Sequence, residues 1–143
     1  MGLLRLAQTT PEISPKATVQ EAVRIMTEGH VGAIAVTDGR RIAGIFTERD
    51  LMRRVVYARK DPAEMRVEEV MTSPVVTVHD STSVADATVI MRSRHIRHLA
   101  IVDGDGELQG MVALRYLLYD TMEELERKVD SLEGYMMADA LGG

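Results

Sequence analysis

The chain repeats itself, and this limits the possible folds more than any other feature, because each copy must adopt the same supersecondary unit. Displaced by 65 positions, Val19, Ala22, Ile25, Met26, His30, Ala35, Asp38 and Gly39 fall on Val84, Ala87, Ile90, Met91, His95, Ala100, Asp103 and Gly104, eight identities in 21 positions. One inserted residue raises the offset to 66, and Gly44, Arg49 and Leu51 then fall on Gly110, Arg115 and Leu117. At 143 residues the chain can bury one respectable core but not two large independent ones, so the copies are expected to form one compact unit.

Each copy opens with a helix-start signal. Thr18-Val-Gln-Glu21 and Ser83-Val-Ala-Asp86 place a hydroxyl three residues before a carboxylate, which is capping-box spelling, with Asp86 a shorter variant. Apolar residues then recur at the spacing of one buried helical face, at Val19, Ala22, Val23 and Met26 and at Val84, Ala87 and Met91. Strands are expected over Ala33 to Thr37 and Leu99 to Val102. Asp-Gly turns at Asp38-Gly39 and Asp103-Gly104-Asp105-Gly106 lead into strands over Ile42 to Phe46 and Leu108 to Val112, and a second helix follows each. A further short strand, Val75 to Val78, precedes the second copy. The fold class expected is α+β, with two β-α-β-β-α repeats packed sheet to sheet around a shared core, since neither half buries its sheet alone. The expected divisions are 8–62, 68–120 and a C-terminal amphipathic helix and tail over 121–143.

These residues resemble the cystathionine beta-synthase (CBS) domain family. The resemblance rests on Gly44-Ile-Phe-Thr-Glu-Arg-Asp50-Leu51, on Arg97-His98-Leu-Ala-Ile-Val-Asp103 and on Met71-Thr72-Ser-Pro74-Val-Val-Thr77-Val78, and it covers residues 10 to 120. It implies a stand-alone tandem pair, or Bateman module, with a cleft on each side of a pseudo-twofold axis. It also implies an adenosine-containing ligand (AMP, ADP, ATP or S-adenosylmethionine) and no required cofactor. By the same resemblance Asp50 accepts from the ribose hydroxyls with Thr47 beside it, and Ile45, Val75 and Val76 wall the adenine. Arg97, His98 and Arg115, all from the second copy, meet the phosphates, a task that suits the forked donors of arginine. The second cleft departs from the pattern, with Ala113 where Thr is expected and Tyr116 where Asp is expected. One good site per chain is therefore implied, and Met111, Ile13 and Arg49 are left to line a weaker one.

Taken without the resemblance, Thr47-Glu-Arg-Asp50 is also the spelling of a helix cap. His95 and His98 have no third ligand beside them, so no metal is expected. Arg92 and Arg94 read as solvated surface. No nucleophile-base arrangement has motif support and no Walker-type glycine loop occurs, so the chain is expected not to be an enzyme. The function expected is regulation of an unknown partner in trans, and the alternative is a ligand-free dimerisation or protein-interaction module.

A formal charge of −5 argues against a nucleic-acid partner, whose phosphates would have to be neutralised. No apolar run approaches the ~20 residues that span a bilayer, and Met1-Gly2-Leu3-Leu4-Arg5-Leu6 lacks the length of a signal peptide. No membrane association and a cytoplasmic location are expected. With one Phe and no Trp, ten Met are expected to help fill the core and the helix interfaces. Beyond the second copy, Leu118, Met122, Leu125, Val129, Leu132 and Met136 follow a heptad seam. This helix is expected to help hold a homodimer, with packing on its own chain as the alternative and Gly142-Gly143 fraying at the end.

Overall fold

The computed structural model describes residues 2–8 and 10–142; Met1, Thr9 and Gly143 lie outside it, and with Gly143 part of the expected fraying. Helix α1 (Val19–Glu28) starts where the capping signal stands, with Thr18 Oγ1 accepting the Glu21 amide at 3.1 Å. The box is only half built, because the Glu21 carboxylate turns away from the cap to accept from Arg24 one turn on. Helix α3 (Val84–Arg94) starts the same way, with the Asp86 amide donating to Ser83 Oγ at 3.0 Å.

Strands β1 (Glu12–Ile13), β2 (Ala33–Asp38) and β3 (Arg41–Thr47) form one sheet in that order, with β1 parallel and β3 antiparallel to β2. Strands β4 (Thr77–Val78), β5 (His98–Val102) and β6 (Leu108–Ala113) repeat the arrangement. The repeat extends to irregularities: the register of β2 shifts between Val36 and Thr37, and that of β5 shifts at the equivalent Ile101 and Val102. The short strand expected ahead of each copy is present in both: in the first it is β1, and in the second the strand expected over Val75 to Val78 is confined to Thr77–Val78.

The second helices differ most. Helix α2 (Glu48–Asp50) passes into a π-helical turn, Leu51–Val56, whereas helix α4 (Leu114–Gly142) runs unbroken for 29 residues. The amphipathic tail is therefore the continuation of the second copy's last helix, because no Gly or Pro interrupts Leu114 to Glu133.

Three apolar clusters replace the single shared core. In β2, Ile34 and Val36 face α1 and join Val19, Ala22, Met26 and Phe46. Leu99, Ile101, Val112, Ala87 and Met91 form the matching cluster of the second half. Side chains alternate along a strand, so Ala33 and Ala35 face the other way, where with Ile45 and Met111 they make a thinner layer between the sheets. This layer is built from equivalent positions: Ile45 with Met111, Ile42 with Leu108, and Arg41 bridged to Glu107. Equivalent residues meet each other only around a twofold axis, which here is a pseudo-twofold relating the two copies.

The halves are also laced together. The short 3-10 turn Leu3–Leu6, ahead of copy one, buries Leu3 in the second half's core, and the Leu3 amide donates to the Asp80 carbonyl at 3.0 Å. In return Val67 and Val70, ahead of copy two, are buried in the first half's core. Two glycines permit these crossings. A Cβ on Gly44 would run into Met71 Sδ and lie 3.0 Å from the Thr72 carbonyl; one on Gly110 would lie 3.1 Å from Ala7 Cβ.

Candidate functional site

Crossing of the chain over β3 sets the first wall of the site. The Ile45 and Thr72 backbones bond each other both ways, at 3.0 and 2.8 Å, which holds the Thr72 hydroxyl over the start of α2. There Thr47 and Asp50 build a complete capping box: the Asp50 amide donates to Thr47 Oγ1 at 3.2 Å and the Thr47 amide donates to Asp50 Oδ2 at 3.1 Å. The Thr47 hydroxyl lies 3.2 Å from the same Oδ2, and the Thr72 hydroxyl donates to Oδ1 at 2.9 Å. Asp50 is 5% exposed, so burial of its charge is offset by these donors, with the Arg54 guanidinium 3.9 Å away.

The opposite wall comes from the second half. Arg97 leads into β5, His98 is its first residue, and Arg115 stands in the first turn of α4. The Leu114 amide is tied to the Arg97 carbonyl at 2.8 Å, which fixes α4 against β5. Arg97 and Arg115 are exposed and, among the described residues, make no ion pair; Arg115 lies over the Tyr116 ring at 4.9 Å. Burial pushes the His98 pKa down, and the positive charges of Arg115 and Arg97 push it further the same way. At neutral pH His98 is thus a neutral ring beside two guanidinium groups.

Between these walls lies a cleft of about 840 Å³, within the size range of small-molecule sites. Ile45, Thr47, Asp50, Arg97, His98 and Arg115 all line it. Thr72, Arg49 and Leu118 line it too and were not assigned to it from sequence. Thr72 carried a signal, since it sits in the Met71-Thr72-Ser73-Pro74 stretch that bears the resemblance. Arg49, expected in a second cleft, belongs here, with its Nη1 donating to the His95 carbonyl at 3.1 Å.

Other assignments fail. Val75 packs into the layer between the sheets and Val76 against the second half's core, and neither lines the cleft. Alternation lets at most one of two adjacent residues of an extended segment face a given hollow, and here one side faces the layer between the sheets and the other the second half's core. Ile13 is buried in the first core. Of the residues expected around a second cleft, Met111 and Ala113 line a hollow of only about 40 Å³, room for about one water. Tyr116 does not line it and packs edge-on to Tyr119, ring centroids 6.1 Å apart. The large cleft straddles the pseudo-twofold, since both members of equivalent pairs line it: Val31 and Ile96, Gly32 and Arg97, Thr47 and Ala113, Arg49 and Arg115.

The family model of the CBS domain matches twice, over residues 9–57 and 67–123. Among relatives, an uncharacterised protein of Methanopyrus kandleri is 34% identical over 127 residues; the match covers 83% of this chain but 65% of the relative, so the chain spans under two thirds of that protein's length. A CBS domain-containing protein of Bacillus subtilis is 36% identical over 110 residues, covering 77% of each chain. Among solved structures, a CBS domain protein of Pyrobaculum aerophilum complexed with AMP superposes with a TM-score of 0.78 at 28% identity, covering 88% of this chain and 97% of that one.

Proposed function

This chain belongs to the CBS domain family, and from that premise we propose that it is a regulatory module whose cleft takes an adenine nucleotide and which acts on a partner protein in trans, catalysing nothing itself. The observation that carries the reading is the division of labour across the cleft: the buried Asp50 carboxylate with the half-buried Thr47 and Thr72 hydroxyls on one side, and on the other the Arg97 and Arg115 guanidinium groups, which make no ion pair among the described residues. Ribose hydroxyls suit the first wall and phosphates the second. Three arginines favour AMP, ADP or ATP over S-adenosylmethionine, whose sulfonium would meet like charges. The AMP complex of the Pyrobaculum aerophilum relative supports the same class of ligand. A ligand touching both halves biases their relative orientation to the extent that it binds one arrangement better than another. The reading includes a cytoplasmic location and a homodimer, since Met52, Val56 and Tyr57 of the first half and Tyr119 and Met122 of the second are exposed apolar side chains.

One observation favours a second reading, a ligand-free interaction module. A carboxylate offers about four acceptor sites, and the donors from Thr47 and Thr72 already take three on Asp50. A ribose would have to compete with those hydroxyls. Thermal unfolding with AMP, ADP, ATP and S-adenosylmethionine separates the two. Ligand at a hundred times its dissociation constant stabilises by about 2.7 kcal/mol, and Arg97→Ala with Arg115→Ala is expected to abolish the shift. No shift with any of the four leaves the interaction module standing.

A further inference from the structure

Helix α4 outlasts its counterpart. At the offset of 66, Val56, the last residue of the π-helical turn after α2, corresponds to Met122; beyond it the second half has helix where the first has none. Every described side chain from Met122 to Met137 is exposed. The seam residues Met122, Leu125, Val129, Leu132 and Met136 are 51 to 68% exposed. A single helix of this length, with an apolar stripe facing water, is marginal on its own and draws its stability from a partner.

Charge placement identifies the partner and its direction. With Met122, Val129 and Met136 at the a positions and Leu118, Leu125 and Leu132 at d, the flanking e positions are Tyr119, Glu126 and Glu133, and the g positions are Thr121, Lys128 and Tyr135. In a parallel pair of these helices each g residue faces the e residue five positions on in the other chain, so Lys128 meets Glu133 of the second copy, twice by symmetry. An antiparallel pair sets e against e and g against g, so Glu126 and Glu133 meet only each other or Tyr119, and Lys128 meets no carboxylate. Leu118, the first seam residue, also lines the cleft, so a parallel pair brings both clefts to the same end of the assembly.

We propose that Leu118 to Met136 of α4 pairs with the same stretch of a second copy as a parallel, in-register two-stranded coil. The proposal rests on the homodimer reading above and gives it a surface and a direction. The chain has no cysteine, so Met122→Cys and Leu132→Cys, made separately in the full chain, report on it directly. Both are expected to form interchain disulfides under mild oxidation, with light scattering giving twice the 15.8 kDa chain mass. Positions ten residues apart are separated by about 15 Å along a helix, so no antiparallel register can set both beside their own copies. A crosslink at only one of the two overturns the parallel coil. A doubled mass with neither crosslink overturns the coil and leaves a dimer through another surface. A single mass at every concentration overturns both readings, and a stable complex with an unrelated helix in place of self-association overturns the choice of a second copy. Lys128→Glu is expected to weaken dimerisation about fivefold, and Lys128→Glu with Glu133→Lys to restore it.

Discussion

Where its second helix begins, the first half carries Thr47, Glu48, Arg49 and Asp50; the second carries Ala113, Leu114, Arg115 and Tyr116. Both helices are fastened by the same backbone bond, from the Glu48 amide to the Gly32 carbonyl at 3.1 Å and from the Leu114 amide to the Arg97 carbonyl at 2.8 Å. Only the first adds a capping box, so the fold can start this helix without one. The capping box at Asp50 is thus an addition of the first half, made beside the cleft. In exchange, the second half places Arg97 and His98 where the first has Gly32 and Ala33. One unit, used twice, thus supplies the carboxylate from one copy and two of the three arginines from the other, so that a hollow on the axis between them is polarised although the backbone around it is nearly symmetric.

The largest test of this pairing lies in the cores. Phe46 and Val112 are equivalent and both fully buried. Phe46→Ala is expected to cost about 3–5 kcal/mol and Val112→Ala about 2 kcal/mol, measured by urea unfolding. Equal losses would show that the first half does not depend on its larger side chain. At the helix starts, Asp50→Ala is expected to cost about 1–2 kcal/mol, because it removes the box and leaves the Thr72 hydroxyl without its acceptor. Tyr116→Ala, at the half-buried equivalent, should cost about 1 kcal/mol or less. If the two cost the same, the capping box carries no weight in the first half.

Much of this was legible in the sequence for a physical reason: the repeat forces two like units, and capping residues and period-2 alternation place their elements. What was not legible depends on contacts between units. Leu3 and Val67 are short apolar islands with no periodicity, and nothing local says that each crosses to the other half's core. Val75 and Val76 lie in a matching motif, but the side to which each points is set by where Thr72 leaves β3. Six of the eight expected site residues line the cleft, because position along a repeated unit fixes them. The completeness of the capping box at Asp50, half absent at the similarly spelled Thr18, could not be told apart by spelling.

The pair His98 and Ala33 offers a smaller difference, visible in pH dependence. His98 has its folded pKa below the ordinary value of 6.5, so below pH 6.5 the unfolded chain binds the extra proton and stability falls as pH drops toward the folded pKa. Above pH 6.5 this penalty is absent. His98→Ala, which copies the first half, is expected to flatten the urea midpoint between pH 5 and 7. Burial is the main cause of the lowered His98 pKa and the charges of Arg115 and Arg97 add to it; an anionic ligand beside the two arginines would offset their share, so binding should take up a proton and tighten as pH falls from 7.5 to 6. Titration calorimetry in buffers of different ionisation enthalpy measures that uptake, and none would place the anion away from His98.

The smallest expected effect concerns how each second helix clasps the segment that crosses to it. Arg54 on the first donates to the Met71 carbonyl at 2.8 Å and to that of Val70 at 3.3 Å. Its equivalent at offset 66 is Asp120, of opposite charge, which accepts both forks of Arg5 at 2.8 and 3.0 Å. The same mechanical task is done once by a charge on carbonyls and once by an ion pair. Arg5 holds the Asp120 carboxyl below the usual carboxylate range, so the pair's contribution is present above about pH 4 and lost as pH falls through the folded value. Because the Arg5 side chain is 46% exposed, Arg5→Ala is expected to cost only about 0.5 kcal/mol, and salt at 1 M should remove most of it. Arg54→Ala should cost about 1 kcal/mol and lose a smaller share of it to salt, since its hydrogen bonds to carbonyls need no counter-charge and only its 3.9 Å approach to Asp50 is screened. If both losses screened alike, the two clasps would be electrostatically equivalent, and the division between the halves would stop at the cleft.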